Sequence, residues 1–330
     1  MSDQQAQKLI SQSNEVPQGS LLHDIELSYW ATFYPLGYPV DILTNHKAVL
    51  EAAEESFGHA SPSRPATGLQ IRIGITSGSN SRCPPEPTRR EFNYLYSLVA
   101  DVDNQAILDL KTGINFLWLN QATIANRLYF RYNFLEKAVY LLLGASIVTD
   151  LHAACISKEG KGILLCGTSG AGKSTLAYAS ARTGWCYTSD DTCYLINALA
   201  SPRIIGHSHR ARFRPSAKEL FPELKHFPLT PRMEGKPSIE VPISQLPIAL
   251  SAKEVDVHSI VYLNRVQNEE AILIRLPRGT ATQRMRNELY SAGEIRERHS
   301  KTLEIFTDVP TYELQYRDLE QATEKLEELL

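Results

Sequence analysis

This 330-residue sequence predicts a mixed α/β fold built in two parts, and three observations carry the prediction. Single hydrophobic cores stop growing at roughly 250–300 residues, so a chain of this length divides or carries a large extension. With 43% hydrophobic and 22% charged residues, there is ample apolar material for a buried core. From residue 146 onward the pattern runs strand, turn, strand, glycine-rich loop and helix, the layout of a nucleotide-binding α/β core. Residues 1–145 accordingly read as an N-terminal α+β region of unassigned role, and residues 146–330 as a catalytic domain.

Residues 1–20 are polar and rich in Gln and Ser, the composition of a terminal tail. Thr44-Asn45 offers a cap before Val49, Ala52, Ala53 and Phe57 at helical spacing, which predicts a short amphipathic helix. Leu69–Ile75 alternates as a half-buried strand does, and residues 77–90 read as a Ser/Gly/Pro loop where a boundary could fall. Tyr94–Val99 and Asn115–Leu119 are strand-like, and the apolar run 122–146 suits a helix packed between layers. Ile147–Ser157 reads as one strand, "KEGKG" as a hairpin turn, Ile163–Cys166 as the strand feeding the glycine loop, and Thr175–Arg182 as a helix ended by Gly184. Short runs at Leu303–Phe306 and Tyr312–Tyr316 precede a last helix, capped by Asp318, with Leu319, Ala322, Leu326 and Leu329 on one stripe.

A formal charge of −3 gives no overall electrostatic footprint for nucleic acid. No run of about 18 apolar residues and no signal-peptide pattern is present, so the expectation is a cytoplasmic chain without a membrane segment. Five cysteines without CxxC spacing, mostly inside apolar runs, read as buried thiols in a reducing compartment rather than a zinc site.

The chemistry is concentrated in "GTSGAGKST", residues 167–175, which fits GxxxxGK[ST] at every fixed position. In such a loop Gly167, Gly170 and Gly172, with Thr168, Ser169 and Ala171 between them, let backbone N–H groups curl around phosphate oxygens. Lys173 then reaches the terminal phosphates and Ser174 can ligate Mg²⁺, with Thr175 opening the helix. Downstream, Asp190 and Asp191 interrupt an apolar segment, where burying both without partners is costly. One can hold Mg²⁺ and the other can take the proton of an attacking hydroxyl, whereas the bland reading is a pair of turn acids. His152, at the start of the strand expected beside the loop strand, is by itself better explained as a satisfied structural histidine.

Taken in order, His152, a strand, a short turn, Gly167–Ser174, a helix and Asp190-Asp191 resemble the core of the HPr kinase/phosphorylase family over about 45 residues. The resemblance implies a P-loop kinase core related to ATP-dependent phosphoenolpyruvate carboxykinase, with ATP and Mg²⁺ as cofactors. It implies a catalytic set of Asp190, His152 and Lys173, in which an aspartate is base toward a serine hydroxyl and acid in a reverse, phosphorolytic direction. On this reading Asp190 is the base, and Asp191 joins Ser174 at the metal or contacts Lys173; the two aspartates can be exchanged. A homo-oligomer is also within the family pattern. The family's downstream glycine-rich signature and its N-terminal domain have no counterpart here, which weakens HPr as the acceptor but leaves phosphoryl transfer intact.

The divergent segment carries Arg210, Arg212 and Arg214 alternating with Ala211 and Phe213, so an extended chain puts three guanidiniums on one face. They suit phosphate, or else a solvated strand face paired with acids. "SAKELFPEL" reads as a helix capped by Ser216 with Glu219 in the capping box. Lys236, Glu240, Arg278 and the polar stretch 226–238 are weaker candidates for a cleft or a substrate loop. The expected activity is Mg²⁺-dependent transfer of the ATP γ-phosphoryl group to a hydroxyl, serine of a protein or peptide first. A small-molecule kinase and a non-catalytic nucleotide sensor are the alternatives.

Overall fold

The computed structural model describes residues 25–78, 82–197, 200–230, 237–267, 270–289 and 291–330. It divides into two compact units, Met1–Val139 and Tyr140–Leu330.

The first unit is built on seven strands: β1 (Tyr29–Phe33), β2 (Val40–Thr44), β3 (Leu69–Thr76), β4 (Thr88–Phe92), β5 (Leu95–Val99), β6 (Gln105–Asp109) and β7 (Ile114–Asn120). They form one mixed sheet in the order β1-β2-β3-β7-β6-β5-β4, with β3 parallel to both its neighbours. Alternation places Val40, Ile42, Ile71, Ile73, Leu117 and Leu119 on one buried face. Helix α1 (Lys47–Phe57) packs beside β1 and β2 through the predicted stripe of Val49, Ala52, Ala53 and Phe57. Its cap is His46, whose Nδ1 accepts the Ala48 N–H at 3.3 Å. Asn45 instead exchanges two 2.8 Å hydrogen bonds with the backbone of Ile75. The loop 77–90 joins strands of one sheet, so no boundary falls there, and β4 begins inside it. The apolar run after β7 is not one helix. A π-helical turn, Arg131–Leu135, interrupts it before α2 (Glu136–Ser146), where buried Arg131 donates to Ser56 Oγ at 2.8 Å and Glu136 Oε1 at 3.0 Å.

The second unit carries β8 (Val148–Leu151), β9 (Ala154–Lys158), β10 (Lys161–Cys166), β11 (Cys186–Ser189), β12 (Cys193–Ile196), β13 (Arg203–Gly206), β16 (Glu254–Arg265), β17 (Ile272–Arg275) and β18 (Thr311–Tyr316) in one sheet. Strands β14 (Arg210–Phe213) and β15 (Ile239–Pro242) form a separate ribbon. The centre of the sheet is parallel: β16 runs between β10 and β18 and pairs in parallel with both. Ile163 and Leu165 of β10 face α3 (Lys173–Arg182), while Leu164 and Cys166 face a cluster shared with Met285, Leu303 and Phe306. Helix α4 (Thr280–Glu288) lies on that second side, α5 (Gly293–Thr302) runs into the turn at Leu303–Phe306, and α6 (Leu319–Glu327), capped as expected by Asp318, lies with α3 on the first. The β14–β15 ribbon packs Ala211, Phe213, Ile239 and Val241 against Tyr178 of α3.

One reading changes here. The strand expected over 147–157 is two: β8 pairs with β12, β9 with β10 and β11, and the chain turns at His152-Ala153, where the Ala153 N–H returns to Leu151 O at 2.8 Å. Leu303–Phe306 is a 3₁₀ turn whose Leu303 and Phe306 are buried against α4. Cys155, Cys166 and Cys193 are buried, Cys186 half-buried and Cys83 exposed, all as free thiols. Among the described residues no helix is long and apolar enough to cross a membrane.

Candidate active site

Strand β10 ends at Cys166 and α3 starts at Lys173, so the glycine loop lies at the carboxyl edge of the parallel strands, where α/β sheets place their ligands. Gly167, Gly170 and Gly172 take φ of 144°, 92° and 101°, a region costly for any residue with a Cβ. At Gly172 a Cβ would stand 2.3 Å from Tyr316 Oη. That hydroxyl donates to Ala171 O at 2.9 Å, which ties the loop to β18.

Lys173 is only 6% exposed. Its Nζ donates to Gly167 O at 2.7 Å and Thr168 O at 3.3 Å, and stands 3.1 Å from His152 Nε2. Burial lowers the Lys173 pKa, opposed by the charge of Asp191, and burial followed by the Lys173 charge lowers that of His152. A neutral His152 accepting from Lys173 at Nε2 carries its proton on Nδ1, which faces Asp191 Oδ1 at 3.7 Å. Ser174 Oγ donates to the backbone carbonyl of Asp190 at 3.1 Å.

The two aspartates sit in the turn between β11 and β12 rather than inside a strand, and their surroundings differ sharply. Asp190 is 4% exposed: its Oδ1 accepts from Tyr187 Oη at 2.8 Å and its Oδ2 from the Arg212 N–H at 2.9 Å. Burial, and next the charge of Asp191, push its pKa up to about 6 against the pull of these hydrogen bonds. Asp191 is partly exposed and lines a cleft of about 360 Å³ together with His152, Lys173, Ser174, Arg212 and Arg214.

Alternation in β14 is as expected, with Ala211 and Phe213 buried and the arginines opposite. Arg210 and Arg212 both bind Glu240, which stands across from Arg212 on β15, and Arg214 donates to Ser169 Oγ at 3.1 Å. Arg212, although it shares Glu240 with Arg210, lines the cleft together with Arg214, and Arg210 does not. Ser216 makes no side-chain cap, and Glu219 lines the cleft instead. Arg278 pairs with Asp308 away from it, and Lys236 lies outside the described residues.

Arg265 was not singled out from sequence. It ends β16, lines the cleft, and its Cδ lies 3.8 Å from where a Gly172 Cβ would be. The available signal was an apolar strand closing in Asn264-Arg265, readable only once β16 is known to run parallel beside β10. A larger cleft of about 710 Å³ lies at the other end of β10, near the Lys158–Gly160 turn. Its Arg203 and Asp256 satisfy each other through bonds of 3.0 and 2.7 Å, so the convergent polar groups are at the glycine loop. Among the described residues no group of three or more His, Cys, Asp or Glu is arranged to hold a metal. The oxygens facing the cleft, Ser174 and Asp191, match Mg²⁺, which takes one or two protein ligands and keeps waters or phosphates on the rest.

No family model matches the chain, and no curated protein matches it. Among solved structures, the Hpr(Ser) kinase/phosphatase from Coxiella burnetii is similar at 13% identity over 55% of this chain and 97% of its own, with a TM-score of 0.30. A likeness of that size carries no weight for mechanism, which has to come from the side chains in the cleft.

Proposed function

We propose that the second unit is an ATP- and Mg²⁺-dependent phosphotransferase acting on a hydroxyl, serine of a protein or peptide being the first acceptor to test. The observation that supports it is the convergence, on one cleft, of the glycine loop, Lys173, Ser174, Asp191 with His152, and Arg212, Arg214 and Arg265. The donor set fits a magnesium nucleotide: loop amides, a helix N-terminus and four cationic side chains for the phosphates, and Ser174 Oγ for the metal, which takes its other ligands from phosphate and water. Bound ATP and Mg²⁺ would supply the phosphoryl group and the neutralisation of its charge.

Within this reading the base is Asp191 rather than Asp190. Both Asp190 oxygens are already engaged with donors inside the protein, whereas Asp191 faces the cleft with His152 Nδ1 at its side. Asp191 takes the acceptor proton, His152 orients its carboxylate, and Asp190 holds Arg212 and Tyr187 in place. Lys173, now on loop carbonyls, turns to phosphate. Titration of the protein with ATP–Mg²⁺ by calorimetry, followed by incubation of labelled ATP with a cell extract, tests the proposal. Binding lost in Lys173→Met and labelling lost in Asp191→Asn are expected. Absence of ATP binding at millimolar nucleotide refutes it, and binding without labelling leaves the sensor alternative.

A further inference from the structure

The first turn of α2 lies against the covered face of the first unit's sheet. Asn115 Nδ2 donates to Ala138 O at 3.1 Å, and Asn115, Leu108 and Tyr96 form one row across β7, β6 and β5. Arg89 of β4 stands opposite Leu98, which is fully buried, so it shares that face and hydrogen-bonds the hydroxyl of Tyr96.

Lys137 precedes Ala138 in this turn. Its Nζ is closed off from solvent and has no hydrogen-bond partner among the described residues. A lysine kept for packing buries its stem and leaves the ammonium in water; here the charged end is the buried part. Burial, then the charge of Arg89, brings the amine's pKa down to about 8, with Glu86 opposing them. Near that pH about half of the molecules carry a neutral amine, which is a nucleophile.

We propose that Lys137 is a modification site that takes up carbon dioxide as a reversible carbamate. The Nζ lone pair attacks the carbon of CO₂, one carbon–oxygen π bond opens to leave its electron pair on oxygen, and the nitrogen releases a proton to solvent. An anion then stands where an ammonium stood, and Arg89 changes from a repelling neighbour into the counter-charge. The two acids on this side, Glu86 before β4 and Glu91 opposite Tyr96, are both exposed and so remain solvated. Enclosure of the Nζ selects the electrophile. Aldehydes, sugars and acyl thioesters are bulky, whereas carbon dioxide is small and brings no charge to desolvate.

The full chain is equilibrated with carbon-13-labelled bicarbonate at pH 8, ethylated with triethyloxonium ion to fix carbamates, and digested for mass spectrometry. A labelled ethyl carbamate is expected at Lys137, at higher occupancy than on exposed lysines such as Lys111. Lowering the pH to 6 leaves about 50-fold fewer neutral amines and should cut the label at least tenfold. Lys137→Arg should abolish it. Arg89→Gln, at an exposed position, should keep the far-UV dichroism and lower occupancy about tenfold, because the counter-charge is gone. No label at Lys137 at pH 8 overturns the proposal. Label no greater than on Lys111, or unchanged in Arg89→Gln, overturns it equally.

Discussion

Replacing Asp190 by Asn isolates a single buried charge. The carboxylate is 4% exposed and accepts from Tyr187 Oη and the Arg212 N–H. An asparagine keeps both contacts: its Oδ1 accepts from Arg212, and its Nδ2 donates to Tyr187 Oη, whose own proton turns to Arg210 O, already 3.2 Å away. The substitution therefore removes charge with little change of shape. In the folded protein the carboxyl binds its proton near pH 6, against an ordinary value of 3.8. Between these values the folded state holds more protons than the unfolded one, so the wild-type protein gains stability as pH falls from about 7 to about 4. A gap of about two units is worth about 3 kcal/mol. Asp190→Asn should accordingly be the more stable protein at pH 8 by about that amount, with the advantage closing as pH falls through 6 to 4. For a unit of this size, the difference is about 6–12 °C in melting temperature. Thermal unfolding of both proteins across pH 4–8 reads it directly. Parallel curves, or a variant less stable at pH 8, would refute the account of Asp190 as a buried, strained carboxylate.

Three further outcomes follow from the same geometry. Asp191→Asn should lower the rate of phosphoryl transfer by about 10²–10⁴ with ATP affinity retained, while Asp190→Asn keeps the rate within about tenfold, measured with one acceptor under saturating nucleotide. Gly172→Ala should be destabilised by at least about 1–2 kcal/mol from its positive φ, with the clash against Tyr316 Oη added; pairing it with Tyr316→Phe should relieve the clash but not the backbone term. Arg265→Ala should weaken ATP–Mg²⁺ binding by about tenfold in calorimetry with melting temperature unchanged, since its guanidinium reaches the cleft rather than the core.

Local chemistry accounts for what could be read early. The glycine loop is a contiguous motif whose flanking strand and helix are fixed by an apolar run before it and good helix formers after it. The alternation of Arg210, Arg212 and Arg214 with two apolar residues survives because period two is a property of any extended chain. Readings that failed involve partners distant in sequence. The run 147–157 looked continuous because both halves are apolar, yet β8 and β9 have different neighbours, and the break at His152 is what turns that side chain toward Lys173. Strand β4, with every residue exposed, has no amphipathic pattern to announce it.

The sequence by itself determined that one segment of this chain bears a loop suited to phosphate, followed by two adjacent acids, because both signals are built from neighbouring residues. It could not rank the acids. Only the tertiary structure does so, since the difference lies in what surrounds them: Tyr187 and Arg212 close over Asp190, whereas Asp191 looks out beside a histidine 39 positions earlier in the chain. Arg265 joins the cleft for the same reason, brought beside the loop by the parallel pairing of β16 with β10. Hydrogen bonds and desolvation act over a few ångströms, and which residues come within that distance is set by the fold.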